Sequence, residues 1–222
     1  FFLGGAMDFK AIALGLTFAV MWSSAFASAR IILLDAPPLW SLALRFLISG
    51  GIAVGLARAL GQTWHLPRPQ ARAVVIFGLC QNALYLGLFF VAMQRIEVSL
   101  ASIIASAMPL IVAALGWALR GERLPPLGMA GMVAGFAGVA IIMGSRIDAG
   151  ADPVSVALCV IGATALAVAT LMVRGASGGG NLLMVVGLQM LVGSAALTCV
   201  AALTEPFHVT PTLRLALAFA YQ

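Results

Sequence analysis

The chain has 222 residues, of which 63% are apolar and only 9% charged, with a mean hydropathy of +1.11. Soluble domains carry about a quarter charged residues, so this composition excludes one and points to an integral membrane protein. The formal charge of +5 comes from twelve basic residues scattered singly between apolar runs, which excludes a nucleic-acid-binding patch and leaves their positions as a record of topology.

In chain order, residues 1–6, FFLGGA ahead of Met7, read as a remnant outside the native chain, and no short apolar segment with a small-residue cleavage site follows. A helix needs about 20 mostly apolar residues to cross the hydrocarbon core. Seven such runs are predicted, at roughly 11–33, 39–60, 73–94, 98–119, 126–144, 154–174 and 182–203. An eighth begins after Thr212 and reaches only Gln222, about half a span. The rest of that helix is therefore expected in the whole protein. With a cytoplasmic amino terminus, Lys10, Arg58, Arg68, Arg72, Arg120, Arg123 and Arg174 lie inside, seven of the twelve basic residues, which favours that orientation.

The first predicted helix carries MWSSAFAS, with Thr17, Ser24 and Ser28 on one face and Trp22 at mid-span instead of in an interfacial belt. The second holds Arg45 about a turn and a half inside the apolar run. Snorkelling to the outer surface would spare it most of the desolvation cost, and capture of a carboxylate is the alternative. In the third, GLCQNALYLG sets Gly78, Gln81, Asn82 and Tyr85 on one face at α-helical spacing.

The fourth run, SLASIIASAMPLIVAALGWAL, places Ser99, Ser102, Ser106, Pro109, Ala113 and Gly116 on a single stripe at steps of three and four. Small residues in a stripe let neighbouring backbones approach. Pro109 does something packing does not need: it lacks an N–H, so the Ala105 carbonyl loses its intrahelical partner and the helix is predicted to bend there. Gly128, Gly131, Gly135 and Gly138 on the fifth helix, and Gly51 with Gly55 on the second, are predicted close-contact faces. The sixth helix offers Thr164, the seventh Gln189, and the eighth segment ends in Tyr221 and Gln222.

An amide facing lipid would leave donors and acceptors unpaired, so these side chains must turn inward. Ties between helices and a wet cavity both satisfy that requirement; contributions from several helices at one depth favour the cavity. The candidate binding residues are Trp22, Ser24, Gln81, Asn82, Tyr85, Ser102, Ser106, Thr164 and Gln189, with Pro109 as the kink. No catalytic residue, metal site or cofactor is expected. Cys80, Cys159 and Cys199 lie in apolar runs without CxxC spacing and read as buried side chains. No Asp or Glu falls inside a predicted span, which argues against obligatory proton exchange within the chain and for passage down a gradient.

A shift of 144 places Arg30 on Arg174, Ala13 on Ala157 and Leu14 on Leu158, and a slip of two residues brings Pro69, Arg72 and Phe77 onto Pro211, Arg214 and Phe219. The shift spans five helices, an odd number, so a duplicated half would enter the membrane upside down. Residues 7–150 would form the first half and 151–222 the start of the second.

The run from Glu97 to Gly144, with a small-residue helix, a central Pro109, the turn Gly121–Glu122–Arg123 and a glycine-rich helix, resembles the EamA family of the drug/metabolite transporter superfamily. WSSAFASAR in the first helix and PPLWSLALRFLISG around Arg45 look like the same family's pattern. Within the family the chain is most similar to bacterial inner-membrane amino acid exporters. The resemblance implies an all-α membrane protein of ten helices in two inverted five-helix halves, a central cavity, alternating access and outward movement of amino acids, aromatic ones included. The partners would be the bilayer and a small-molecule substrate, and the monomer is expected to suffice. Trp22 and Tyr85 would meet the substrate's side chain or ammonium, while Asn82, Ser106, Gln189 and the Ala105 carbonyl would bond its polar backbone.

Two other readings are open. The superfamily's fold also carries other small metabolites and lipophilic cations. GASG, at residues 175–178, has the form of a rhomboid-type serine protease motif with His65 on the same predicted side, but Ser177 and His65 both fall in loops where such a dyad would lie within helices.

Overall fold

The computed structural model describes residues 9–174 and 181–222. The predicted remnant 1–6 and Ser177 with its GASG motif lie outside the described residues. The described chain is all helix and loop: α1 (Phe9–Ile32), α2 (Pro38–Ala59), α3 (Arg68–Ala92), α4 (Val98–Arg120), α5 (Pro126–Asp148), α6 (Pro153–Val173), α7 (Leu182–Thr204) and the short α8 (Leu213–Tyr221). Seven of these, α1 to α7, are long and apolar enough to cross a membrane, in the places the hydropathy indicated. α3 starts earlier than its apolar run because Pro69 fits the first turn of a helix, where its missing N–H has no intrahelical partner to lose. Pro38, Pro126 and Pro153 open α2, α5 and α6 in the same way.

The outside of the bundle is apolar: Leu14, Val20, Leu47, Ile52, Leu127 and Leu203 are exposed, as a lipid-facing belt requires. The interior is held by close backbone approach and by hydrogen bonds, because burying apolar side chains away from lipid gives little driving force. α2 and α7 form the most extensively packed pair. A side chain on Gly50 would lie 3.0 Å from the Gly187 carbonyl, and Ser194, buried on α7, donates to the Ala43 carbonyl of α2 at 2.7 Å. A shift of 144 carries Gly50 onto Ser194 and Ala43 onto Gly187, so these two contacts are counterparts of each other. The helix ends are also exchanged. Glu205, after α7, accepts from Leu39 N–H at the start of α2, and Gln62, after α2, accepts from Met184 N–H at the start of α7, both at 3.0 Å. Likewise α8 packs on α1 as α3 packs on α6.

Two spans are irregular. α4 breaks at Ala107, whose N–H turns back to the Ile104 carbonyl at 3.1 Å, before a new helix starts at Met108 and Pro109. This is the predicted proline bend. In α3, Gly78–Tyr85 is a π-helix, a wider turn closed by i to i+5 bonds, which the α-helical spacing of the sequence does not anticipate.

The glycine faces require a correction. Gly51, Gly55, Gly131 and Gly138 have nothing within 4 Å of an added Cβ among the described residues, Gly128 meets only Pro125 and Gly135 only the Leu110 side chain. The stripe on α5 is not a close-contact face here because α5 packs mainly on α4 and is exposed over most of its length. The tight glycines are Gly50 and Gly187 between α2 and α7, and Gly78 and Gly193 between α3 and α7.

Ion pairs sit at the two ends. Gly121 ends α4 with φ 65°, the left-handed region that glycine enters without a Cβ clash. The turn brings Glu122 back against Gly116, where a Cβ would meet Oε2 at 2.8 Å, and Glu122 accepts from Arg174 Nη1 at 2.8 Å. The Gly-Glu-Arg turn thus ties α4 to the end of α6. At the opposite end Asp35, its side chain 4% exposed, accepts from Arg214 Nε and Thr212 Oγ1, each at 2.6 Å, and also from Arg214 Nη2. The guanidinium and then the hydroxyl hold this carboxyl down to about 2 from its ordinary 3.8. The stabilisation is therefore complete above about pH 4 and is lost as the pH falls through about 2. Asp35→Asn is expected to lower the Tm of the purified protein by several degrees, with a deficit that stays constant between about pH 8 and about pH 5. Thermal unfolding of both proteins across that range checks it.

Candidate binding cavity

α1, α2 and α3 enclose a cavity of about 200 Å³. Its walls are aromatic: Trp22 and Phe26 from α1, and Tyr85, Phe89 and Phe90 from α3. Tyr85 and Phe89 stack obliquely at 4.6 Å between centroids, and Phe26 meets Phe89 edge-on at 6.3 Å. Spacings of four residues put 22 with 26 and 85 with 89 on single helix faces, which is how two helices build one aromatic box. The polar lining is Gln81 and Arg45. Arg45 is the one ionised group among the described lining residues, with its guanidinium carbon 5.5 Å from the Phe46 ring.

A second recess of about 370 Å³ lies between α1 and α4, bordered by Ser99, Ser102 and Ser106. Trp22 and Phe26 line both spaces and so form the partition between them. Ser102 and Ser106 donate to the carbonyls of Ser99 and Ile103, at 2.8 and 2.7 Å, which uses each hydroxyl proton but leaves oxygen lone pairs facing the recess as acceptors.

Of the predicted site residues, the structure thus brings together Trp22, Gln81 and Tyr85 in one cavity and Ser102 and Ser106 in its neighbour. The others go elsewhere. Asn82 is buried and donates from Nδ2 to the Gln189 carbonyl at 2.9 Å, so it fastens α3 to α7. The sequence put Gly78, Gln81, Asn82 and Tyr85 on one face; the π-turn instead separates Gly78 and Asn82, against α7, from Gln81 and Tyr85, in the cavity. Gln189 takes part through its backbone in that same contact. Ser24 bonds the Tyr221 hydroxyl, and Gln222 donates to Ser28 at 2.8 Å, so these residues dock α8 on α1. Thr164 donates to the Val160 carbonyl of its own helix at 2.8 Å and lines neither space. The Ala105 carbonyl belongs to a residue 2% exposed in the core, behind the Ser106 face. Phe26, Phe89 and Phe90 were missed, since in sequence they look like any lipid-compatible side chain.

Seven spans, with an aromatic, singly charged cavity among the first three, define a multi-pass membrane protein with space for a small solute between its helices. Residues 9–144 match the model of the EamA-like transporter family, and the chain belongs to that family. It is 33% identical to the aromatic amino acid exporter YddG of Ancylobacter novellus over 140 residues, 62% of this chain and 47% of that protein. It is 26% identical over 194 residues to the uncharacterized transporter YvbV of Bacillus subtilis, covering 85% of this chain and 61% of the relative. The chain therefore spans about half to three fifths of the length of these curated relatives. A solved crystal structure matches 96% of this chain and 73% of its own, with a TM-score of 0.68 and 25% identity. That family is one of transporters, and the serine-protease reading is set aside on that ground.

Proposed function

We propose that this protein exports amino acids, aromatic ones included, across the bacterial inner membrane by alternating access, without ATP and without obligatory proton exchange. The amino terminus is cytoplasmic, residues 7–150 are the first five-helix half, 151–222 begin its inverted counterpart, and the monomer is the working unit. The observation that carries the reading is the pairing of one guanidinium, Arg45, with five aromatic side chains in a single cavity. A zwitterion with an apolar side chain matches it. The carboxylate meets Arg45 in a charge-assisted hydrogen bond, the side chain lies among Trp22, Phe26, Phe89 and Phe90, and the ammonium takes the Gln81 carbonyl oxygen or a ring face. Its similarity to a protein named as an aromatic amino acid exporter supports the same substrate class. Lipophilic cations fit less well, because Arg45 would repel them.

The test is flux of labelled phenylalanine and tryptophan through liposomes carrying the full-length protein, with and without an imposed proton gradient. Saturable amino acid flux that does not need the gradient is expected. Flux of cations or sugars in place of amino acids would overturn the reading.

A further inference from the structure

The Asp35–Arg214 pair at one end of the bundle has a counterpart at the other that is built differently. Arg72 lies near the start of α3 as Arg214 lies near the start of α8, each three residues after a proline, Pro69 or Pro211. Arg214 is neutralised by Asp35 in the α1–α2 loop. The corresponding connection for Arg72, between α6 and α7, carries no acid in its sequence: none occurs between Asp152 and Glu205. Arg72 and Arg68, one helical turn apart on α3, instead line a groove of about 480 Å³ together with Ile76 of the same helix, and its other wall is Met172 and Val173 of α6. Among the described residues neither guanidinium has a carboxylate within ion-pair distance. The other arginines nearby are engaged: Arg174 is held by Glu122 at 2.8 Å, and Arg58 lies 5.0 Å from the Trp64 ring.

We infer that this groove between α3 and α6 binds a phosphate-ester anion, carried as the headgroup of an anionic phospholipid. Two adjacent guanidiniums fix a phosphate through paired N–H donors. The apolar wall that continues from them toward mid-membrane accepts acyl chain, which a free phosphate would leave unused. Basic pockets between transmembrane helices at a membrane face bind anionic lipid headgroups in this way. A lipid seated there would supply to Arg72 the charge that Asp35 supplies to Arg214.

The experiment is thermal unfolding of the purified, delipidated protein in neutral detergent, titrated separately with dioleoylphosphatidylglycerol, dioleoylphosphatidylcholine and inorganic phosphate. Phosphatidylglycerol is expected to raise Tm by several degrees and the other two to leave it nearly unchanged. In Arg68→Gln/Arg72→Gln the rise should disappear, while Arg123→Gln, which alters an exposed charge at the same end, should keep it. If the double variant does not fold, Arg72→Gln alone should cut the rise at least by half and Arg72→Lys should restore most of it. An equal rise with phosphatidylcholine, a rise that survives loss of these arginines, or one lost equally in Arg123→Gln would overturn the site. An equal rise with phosphate alone would overturn the lipid assignment. None of these outcomes depends on what the protein transports.

Discussion

Replacing Arg45 with glutamine is expected to weaken the apparent affinity for amino acids by roughly 30-fold or more while leaving the protein folded. Truncating one side of a desolvated, charge-assisted pair costs about 2–5 kcal/mol, and each factor of ten in affinity corresponds to about 1.4 kcal/mol. Arg45 has no carboxylate partner among the described residues, so its removal leaves no buried acid behind, and the effect should fall on substrate and not on the fold. Glutamine retains hydrogen-bonding capacity and much of the volume, which keeps the neighbouring Phe46 and Phe90 in place. Concentration dependence of phenylalanine flux in liposomes, beside Tm in detergent, separates the two. A flux unchanged in the variant would leave Arg45 with nothing more than a snorkelling role.

The second large effect is expected at Gly193. A Cβ there would stand 2.3 Å from the Cβ of Asn82 and 3.1 Å from the Gly78 carbonyl. Neither obstacle is the free end of a flexible chain, so α3 and α7 would have to part. Overpacking of this kind costs about 1–3 kcal/mol, and separation also strands the Asn82 amide, whose bond to the Gln189 carbonyl is its buried anchor, for about another 1–3 kcal/mol. Gly193→Ala should therefore lower Tm sharply and reduce the yield of monodisperse protein. Gly138→Ala is the matched control: nothing lies within 4 Å of its added methyl, so Tm should hold or rise slightly.

These two positions mark what the sequence could and could not reveal. Hydropathy located the seven spans because lipid demands one contiguous apolar run per crossing. Pro109 announced the break in α4 because its effect is covalent and local. Trp22 and Tyr85 stood out as large amphipathic side chains away from an interface, and both do line the cavity. The glycine faces could not be read the same way. Whether a glycine is a contact or open surface depends on which helix arrives opposite it, and that is a tertiary fact: Gly131 and Gly193 look alike in sequence and differ completely in surroundings. The fate of Asn82 was hidden by the π-turn, which rotates residues 78–85 away from α-helical phase and sends adjacent amides, Gln81 and Asn82, to different neighbours. Arg45 was visible as an intramembrane charge, but its direction depended on the aromatic box of α1 and α3 that surrounds it.

The proposed mode of binding also constrains the machinery around it. Trp22 and Phe26 divide the aromatic cavity from the serine-lined recess beside α4, and the break at Ala107 lies at the recess wall next to Ser106. A substrate leaving the cavity past that partition would move from a cation and ring faces toward hydroxyl acceptors. The glycine-tight α2–α7 pair is locked by Ser194 on the Ala43 carbonyl.

The claim on which all of this rests is that the substrate's carboxylate is recognised within the aromatic cavity. The most direct measurement is competition against labelled phenylalanine flux in liposomes bearing the wild-type protein, comparing unlabelled phenylalanine with phenylalanine amide, which keeps the ring and the ammonium and lacks the anion. Recognition by Arg45 predicts that the amide competes at least ~30-fold more weakly, in line with loss of a charge-assisted pair. Equal competition by the amide would contradict it.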